Sequence, residues 1–381
     1  MDSAGNLIAS RSYDTDTYKL SLEFAPISDV RFRAAYNRAV RAPNVQELFA
    51  PQFVGLDGGT DPCAGHQVGV DPDFADIDQG CLAQGLVVGQ NTPPNPAEQY
   101  NGLLGGNPNL NPEKATTKTV GVVLQPRFIP RLAVTVDYFN IDLNGAIQGF
   151  GADAILADCV ANTADAANPA PSCALIHRDP AGSLWLTSGG FVVDTPVNVG
   201  GVKTDGIDVS ASYQHRLFGL GNLALSFLGT WTHKFDTDNG LTPVYDCVGF
   251  YGSTCGNPTF EWRHKARATL QMPFGLGVSV QWRHMSGSRF EGYSDNISLA
   301  GAHPELGAHI PAQDYFDLAA TYTLFDRLNL RAGVNNIFDK NPPLFSSSHG
   351  ACAVATCNGN TYGGTYDTLG RFFFAGATLN F

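Results

Sequence analysis

Eight cysteines are the residues in this 381-residue chain whose type and spacing speak most directly of chemistry. They fall as Cys63 and Cys81, Cys159 and Cys173, Cys247 and Cys255, and Cys352 and Cys357. Zinc sites draw on close pairs gathered into tetrads, and no Cys-x-x-Cys occurs. Disulfide chemistry in an oxidising compartment fits them better. Asp71, Asp73, Asp76 and Asp78 cluster in one segment and suggest calcium. A calcium loop wants Gly at its sixth position and Glu at its twelfth, where this chain has Asp76 and Leu82, so the segment reads as a solvated acidic loop. Gly149-Phe150-Gly151-Ala152-Asp153-Ala154 partly matches a dinucleotide loop, but no βαβ unit surrounds it. The nine histidines show no H-E-x-x-H spacing, and no G-x-S-x-G is present. No catalytic residue, resident cofactor or metal is expected, and the chain does not read as an enzyme.

The elements that carry these residues alternate with period two, the mark of strands with two different faces. Tyr18, Leu20, Leu22 and Phe24 interleave with Lys19, Ser21 and Glu23. Val30, Phe32, Ala34 and Tyr36 interleave with Arg31, Arg33 and Asn37. The pattern recurs at Leu132–Phe139, Ile207–Gln214, Ala266–Gln271 and Val278–Arg283. It continues through Phe316–Leu324 and Leu328–Val334 and closes at Phe373–Phe381. About eleven strands of roughly 10 residues result, the length a tilted strand needs to cross a bilayer. Arg31, Arg33, Lys265, Arg267, Arg283 and Arg331 share the polar side. Alternation alone would equally suit a soluble sandwich, propeller or solenoid.

Composition and connections narrow the choice. Lys and Arg number 23 against 35 Asp and Glu, a net charge of −12 that argues against nucleic acid as a partner. Charged residues are only 15% and glycines number 42, which favours an all-β protein. No apolar run is long enough for a membrane helix, and a membrane barrel would show none. Five connections are tight, at 25–29, 126–130, 218–222, 273–277 and 325–328. They alternate with long ones at roughly 41–115, 144–201, 236–260, 289–313 and 339–369. Short turns at one end and long loops at the other are the plan of an outer-membrane β-barrel. Phe24, Phe128, Phe218, Phe274 and Phe325 mark the turn end as one aromatic girdle. Tyr36, Tyr138, Trp231 and Trp282 suit a second girdle nearer the loops. Every cysteine lies in a long loop, two to a loop. The expected disulfides therefore join Cys63 to Cys81, Cys159 to Cys173, Cys247 to Cys255 and Cys352 to Cys357.

Three motifs and the last strand then resemble a known family. They are Arg41-Ala42-Pro43-Asn44-Val45-Gln46-Glu47-Leu48-Phe49, the run Gly106-Asn107-Pro108-Asn109-Leu110-Asn111-Pro112-Glu113-Lys114-Ala115, and Gly333-Val334-Asn335-Asn336-Ile337-Phe338-Asp339-Lys340. With the strand from Gly370-Arg371-Phe372 to Phe381, they look like the barrel of a TonB-dependent outer-membrane receptor. The resemblance covers the chain from about Thr15 to Phe381. Such receptors are 22-stranded barrels with an N-terminal plug. The resemblance therefore implies that residues 1–381 are the C-terminal half of the barrel, without plug, TonB box or signal peptide. Met1-Asp2-Ser3-Ala4-Gly5-Asn6 does not read as a signal peptide, so a fragment of a longer receptor is expected.

The implied function is energy-coupled uptake of a scarce nutrient: a ferric siderophore, cobalamin or an oligosaccharide. The implied place is the outer membrane of a Gram-negative bacterium, with loops extracellular and the C-terminus periplasmic. The implied partners are outer-membrane lipid, the missing barrel half and plug, TonB through that plug, and the barrel-assembly machinery. Phe373, Leu379 and Phe381 look like the signal that machinery reads. The motif residues Arg41, Ala42, Pro43, Asn44, Glu47, Leu48 and Phe49 read as structural, shaping a loop where a strand leaves the bilayer. The polar-side cations would line the lumen as wall, or meet plug or an anionic ligand. Rival readings are a passive porin or adhesin, and an outer-membrane enzyme.

Overall fold

The computed structural model describes residues 10–301, 303, 307–325, 327–345 and 360–380. Eleven strands follow one another in chain order as one antiparallel sheet. They are β1 (Tyr18–Ile27), β2 (Val30–Arg41), β3 (Glu113–Leu124), β4 (Leu132–Gln148), β5 (Val197–Leu217) and β6 (Gly221–Asp238). The rest are β7 (Trp262–Gln271), β8 (Leu276–Met285), β9 (Gln313–Leu324), β10 (Leu328–Asn335) and β11 (Phe372–Leu379). Each pairs with the next, as expected for strands joined alternately by tight turns and long loops. β4, β5 and β6 run to 17, 21 and 18 residues, well past the expected ten, and so carry the sheet beyond bilayer thickness. Among the described residues no helix is long and apolar enough to cross a membrane.

The pleat decides which side chains share a face. In β11, Phe373, Ala375, Ala377 and Leu379 are exposed on one side, and Phe374 and Gly376 are half-buried on the other. Leu20, Leu22, Phe24, Phe32 and Val120 continue the apolar face across β1–β3. The five turn phenylalanines stand out from its edge, Phe218 at 96% exposure. Gly219 holds φ +78°, which lets the β5–β6 turn close in three residues. Toward the loops, Trp282 stacks on Phe316, which meets Phe338 edge-on, and Phe227 stacks on Trp262. The second aromatic band is therefore broader than the four residues expected from sequence.

The long loops are folded bodies. A four-stranded sheet (Phe53–Gly58, Tyr100–Leu104, Phe191–Val193, Ile176–His177) joins the β2–β3 loop to the β4–β5 loop. Helix α1 is Val45–Phe49, α2 is Asp78–Ala83 and α3 is Ala152–Ala161. α3 buries Ile155, Leu156 and Cys159 against Tyr100, Leu184 and Val192. A second body joins the next loops through Phe250–Tyr251, Ser288–Phe290 and His309–Ile310. Its core is aromatic: Tyr251, Phe260, Phe345, Tyr362 and Tyr366 around Ile310. Disulfides Cys63–Cys81, Cys159–Cys173 and Cys247–Cys255 are formed as expected from their loop positions. Cys352, Cys357 and the terminal Phe381 lie outside the described residues.

Candidate functional site

The polar face of the sheet and the two loop bodies above it form the candidate site. Opposite Arg33 on β2 stands Gly121 on β3, and opposite Gly121 stands Asp137 on β4. Arg33 reaches across the glycine, its Nε 2.7 Å from Asp137 Oδ1 and a second guanidinium nitrogen on Oδ2. A Cβ at position 121 would sit inside the space of the Asp137 carboxylate, so the pair requires glycine there. Farther round, Thr230 Oγ1 donates to Asp208 at 2.7 Å. Arg283 on β8 holds Asp317 of β9 with two bonds of 2.8 and 2.9 Å and reaches Asp367 of the last loop at 3.2 Å. Asn336 N–H donates to the same Asp317 at 2.9 Å. The Gly333–Lys340 motif is thus a turn that orients a charged network of the polar face.

Arg263, Lys265 and Arg267 occupy alternate positions of β7 and make a column of cations down this face. Arg267 donates to Gln281 Oε1 at 2.7 Å. Among the described residues no carboxylate lies within 4.0 Å of Arg263, Lys265, Arg267 or Arg331. A cleft of about 1170 Å³ runs along the face, with Arg33, Asp137, Asp208, Arg263, Lys265 and Arg283 in its walls. Of the six cations expected on this side, Arg33, Lys265 and Arg283 line that cleft. Arg31 instead lies beside Glu23 at 3.5 Å, both exposed.

The first two family motifs lock to each other at the loop end of β2 and β3. Arg41 binds Glu113 through two bonds of 2.6 and 2.8 Å and reaches both Glu47 oxygens at 3.0 Å. Asn44 and Glu47 cap α1 reciprocally: Glu47 N–H donates to Asn44 Oδ1, and Asn44 N–H donates to Glu47 Oε2. Pro43 ends the ladder after Arg41, and Leu48 is buried beneath. Asn107 N–H then donates to the Glu47 carbonyl at 2.8 Å. The arrangement clamps the first loop body onto the wall.

Sequence reasoning missed the residues that hold the loop bodies together. Arg178 and Asp61, 117 residues apart, form a buried pair at 2.8 Å whose side chains are 3% and 0% exposed. Gln84 Oε1 and the Gly182 carbonyl take the remaining guanidinium donors. In the other body the buried Glu291 accepts from Ser253 Oγ, Thr254 N–H and Cys255 N–H. None of Arg178, Asp61 and Glu291 sits in a periodic or motif-like stretch, so the sequence carried no signal for them. In the acidic segment, Asp71 accepts from Gln67 N–H and Asp78 from Gly69 N–H, both at 2.7 Å. Those two carboxylates serve the local backbone.

Among the described residues, Asp57 is the one strongly perturbed loop carboxyl. Its Oδ2 is out of solvent without a donor. Burial, then Asp194 and Asp153 nearby, push it up to about 6. Because the folded value lies above the unfolded one, its contribution to stability is complete below about pH 4. That contribution is lost as pH rises through 6. Asp57→Asn is therefore expected to stabilise the first loop body at pH 8 by on the order of 1 kcal/mol, discounted for partial exposure. At pH 4 it should change little. Proteolysis rates of the 41–113 loop at the two pH values measure this; an equal effect at both would refute it.

The family described as "TonB dependent receptor-like, beta-barrel" matches residues 2–337. No curated protein matches the chain. The ferric enterobactin receptor PfeA of Pseudomonas aeruginosa, solved with enterobactin, superposes with a TM-score of 0.58 at 18% identity, over 95% of this chain and 40% of PfeA. The siderophore receptor PirA of Acinetobacter baumannii gives 0.57 at 14% identity, over 96% and 41%. The FrpB iron transporter of Neisseria meningitidis gives 0.50 at 13%, over 95% and 39%. At such identities the likeness is one of fold. The chain spans about 40% of the length of the receptors it matches.

Proposed function

The chain belongs to the family of TonB-dependent receptor-like β-barrels, and from that premise we propose that it serves energy-coupled uptake of a scarce nutrient, a ferric siderophore foremost. The family is one of outer-membrane receptors rather than enzymes. The observation that carries the ligand reading is the pair Arg263 and Lys265 beside Arg283 on the cleft wall, continued along β7 by Arg267, a basic track inside a protein of net charge −12. Iron-loaded chelates of catecholate or carboxylate type are anions, and cations without carboxylate partners would attract them. The superposed receptors are themselves described by iron or siderophore cargo, which supports the same choice over cobalamin or an oligosaccharide. Loop bodies closed by sheet pairing and disulfides fit capture better than a passive pore does.

In this reading the polar face is the lumen wall, the loop bodies lie outside the cell, and the turns face the periplasm. The chain supplies one side of a larger barrel whose remaining strands and plug complete the transporter. Support comes from the sheet edges: among the described residues β1 pairs only with β2, and β11 only with β10. Unpaired backbone groups in hydrocarbon cost several kcal/mol each, so both edges need partners. TonB would act through the plug, and the assembly machinery would read the strand that ends in Phe381. Residues 1–381 expressed behind a signal peptide are expected to give no protonophore-sensitive uptake of ferric siderophore. Co-expression with the completing half should restore it. Uptake by residues 1–381 alone would overturn the half-barrel reading. Failure of the completed receptor to transport any ferric chelate would overturn the ligand reading.

A further inference from the structure

The apolar face carries a second charged feature that the transport reading leaves unused. At the loop end of β1–β3, Tyr36 stands opposite Lys118, Arg38 opposite both Tyr18 and Thr116, and Val40 opposite Lys114. All of these project from the side that carries Leu20, Phe32 and Val120. Tyr18 and Tyr36 stack with ring centroids 6.0 Å apart and mark the aromatic band. Arg38 is diagonal to both lysines, a separation of about 7–8 Å between Cβ atoms. Lys114 and Lys118 are exposed.

Neighbouring strands treat their cations differently at the same level. Lys203 has Asp142 at 4.0 Å, Lys234 has Asp236 at 3.9 Å and His233 has Asp205 at 3.1 Å. Among the described residues no carboxylate comes within 4.0 Å of Arg38, Lys114 or Lys118. The segment beside them contributes Arg11, Asp14 and Asp16 to a recess of about 850 Å³ that also includes Arg38 and Lys114. Cations remain in excess there, and Ser10, Ser12 and Thr15 add hydroxyls at its rim.

We propose that Arg38, Lys114 and Lys118 form a binding site for the phosphate groups of a membrane lipid whose acyl chains lie on the apolar face of β1–β3. Arg38 and Lys118 level with the aromatic band, and Lys114 just past it, meet the level at which a lipid carries its phosphates. Leaving them without carboxylate partners suits an anion supplied from outside the chain. The apolar strip of Leu20, Leu22, Phe32 and Val120 directly below accepts the hydrocarbon. The inference rests on membership of a membrane-barrel family and not on the cargo, so it can fail or hold independently of uptake.

The test is native mass spectrometry and equilibrium binding on the detergent-solubilised protein, with lipid A and dephosphorylated lipid A as probes. The R38Q/K114Q/K118Q variant should bind lipid A on the order of 100-fold more weakly, at roughly 1 kcal/mol per cation. Its binding of the dephosphorylated form should not change. Lys203→Gln, whose parent is already paired, should leave both unchanged. Intact Cys63–Cys81 and Cys159–Cys173 bridges in peptide maps confirm that the variant has folded; should it not fold, Lys118→Glu alone, on an exposed position, carries the test with about a 10-fold loss. Wild-type affinity in the charge variants overturns the proposal, as does equal loss for both lipids. Equally tight binding of the phosphorylated disaccharide without acyl chains overturns the assignment to a lipid.

Discussion

Replacing Arg178 with Met is expected to destabilise the first loop body by about 3–5 kcal/mol while leaving the wall strands intact, because Asp61 would keep its charge in a site from which water is excluded. The loss would come less from attraction forgone than from an uncompensated buried carboxylate, with Gln84 and the Gly182 carbonyl also losing their donor. Arg178→Lys should recover only part of the stability, since one ammonium cannot reproduce the fork that holds both Asp61 oxygens. The double variant R178M/D61N should be more stable than R178M alone, the sign expected when the penalty is the orphaned charge. Limited proteolysis across 41–113 and 148–197 gives the local readout, and heat-modifiable gel migration reports the wall. A single variant as protease-resistant as the parent would show that the two disulfides suffice to hold this body.

The second large effect concerns the last strand. Arg at Ala375, mid-strand on the apolar face of β11, is expected to hinder membrane assembly by roughly 2–4 kcal/mol, falling toward zero near either interface. Arg at Thr378, on the polar face, should be tolerated far better. The contrast tests register directly, because a slip of one residue would exchange the two faces. The observed pairing of Ala375 with Ala332 and of Thr378 with Asn329 fixes the expectation. Equal incorporation of both variants into membranes would refute the assignment of the faces.

Much of this was legible in the sequence, and for a definite reason. Alternation is local, so Phe373/Ala375/Ala377/Leu379 against Phe374/Gly376 could be read from seven consecutive residues. Proline and glycine at 126–130, 218–222 and 273–277 set turns by restricting or freeing φ within the turn itself. Three disulfides followed from cysteines confined two to a loop. The Arg41 and Glu113 motifs were visible separately, and their family was recognisable, but the clamp between them was not.

What the sequence determined by itself was therefore the strand pattern, its two faces, the sorting of short and long connections, and the family. Tertiary structure alone decided which charges meet. Arg33 and Asp137 are 104 residues apart, and their contact depends on the register of β2 on β3 and of β3 on β4, with Gly121 left small between them. The same holds for Arg178 with Asp61 and for Arg283 with Asp317 and Asp367. Local propensity is a property of neighbours in the chain, whereas a salt bridge across loops or strands is a property of where the sheet has placed two distant segments. No periodicity encodes that placement, because polar side chains on a wetted wall obey the same alternation whether or not they find a partner.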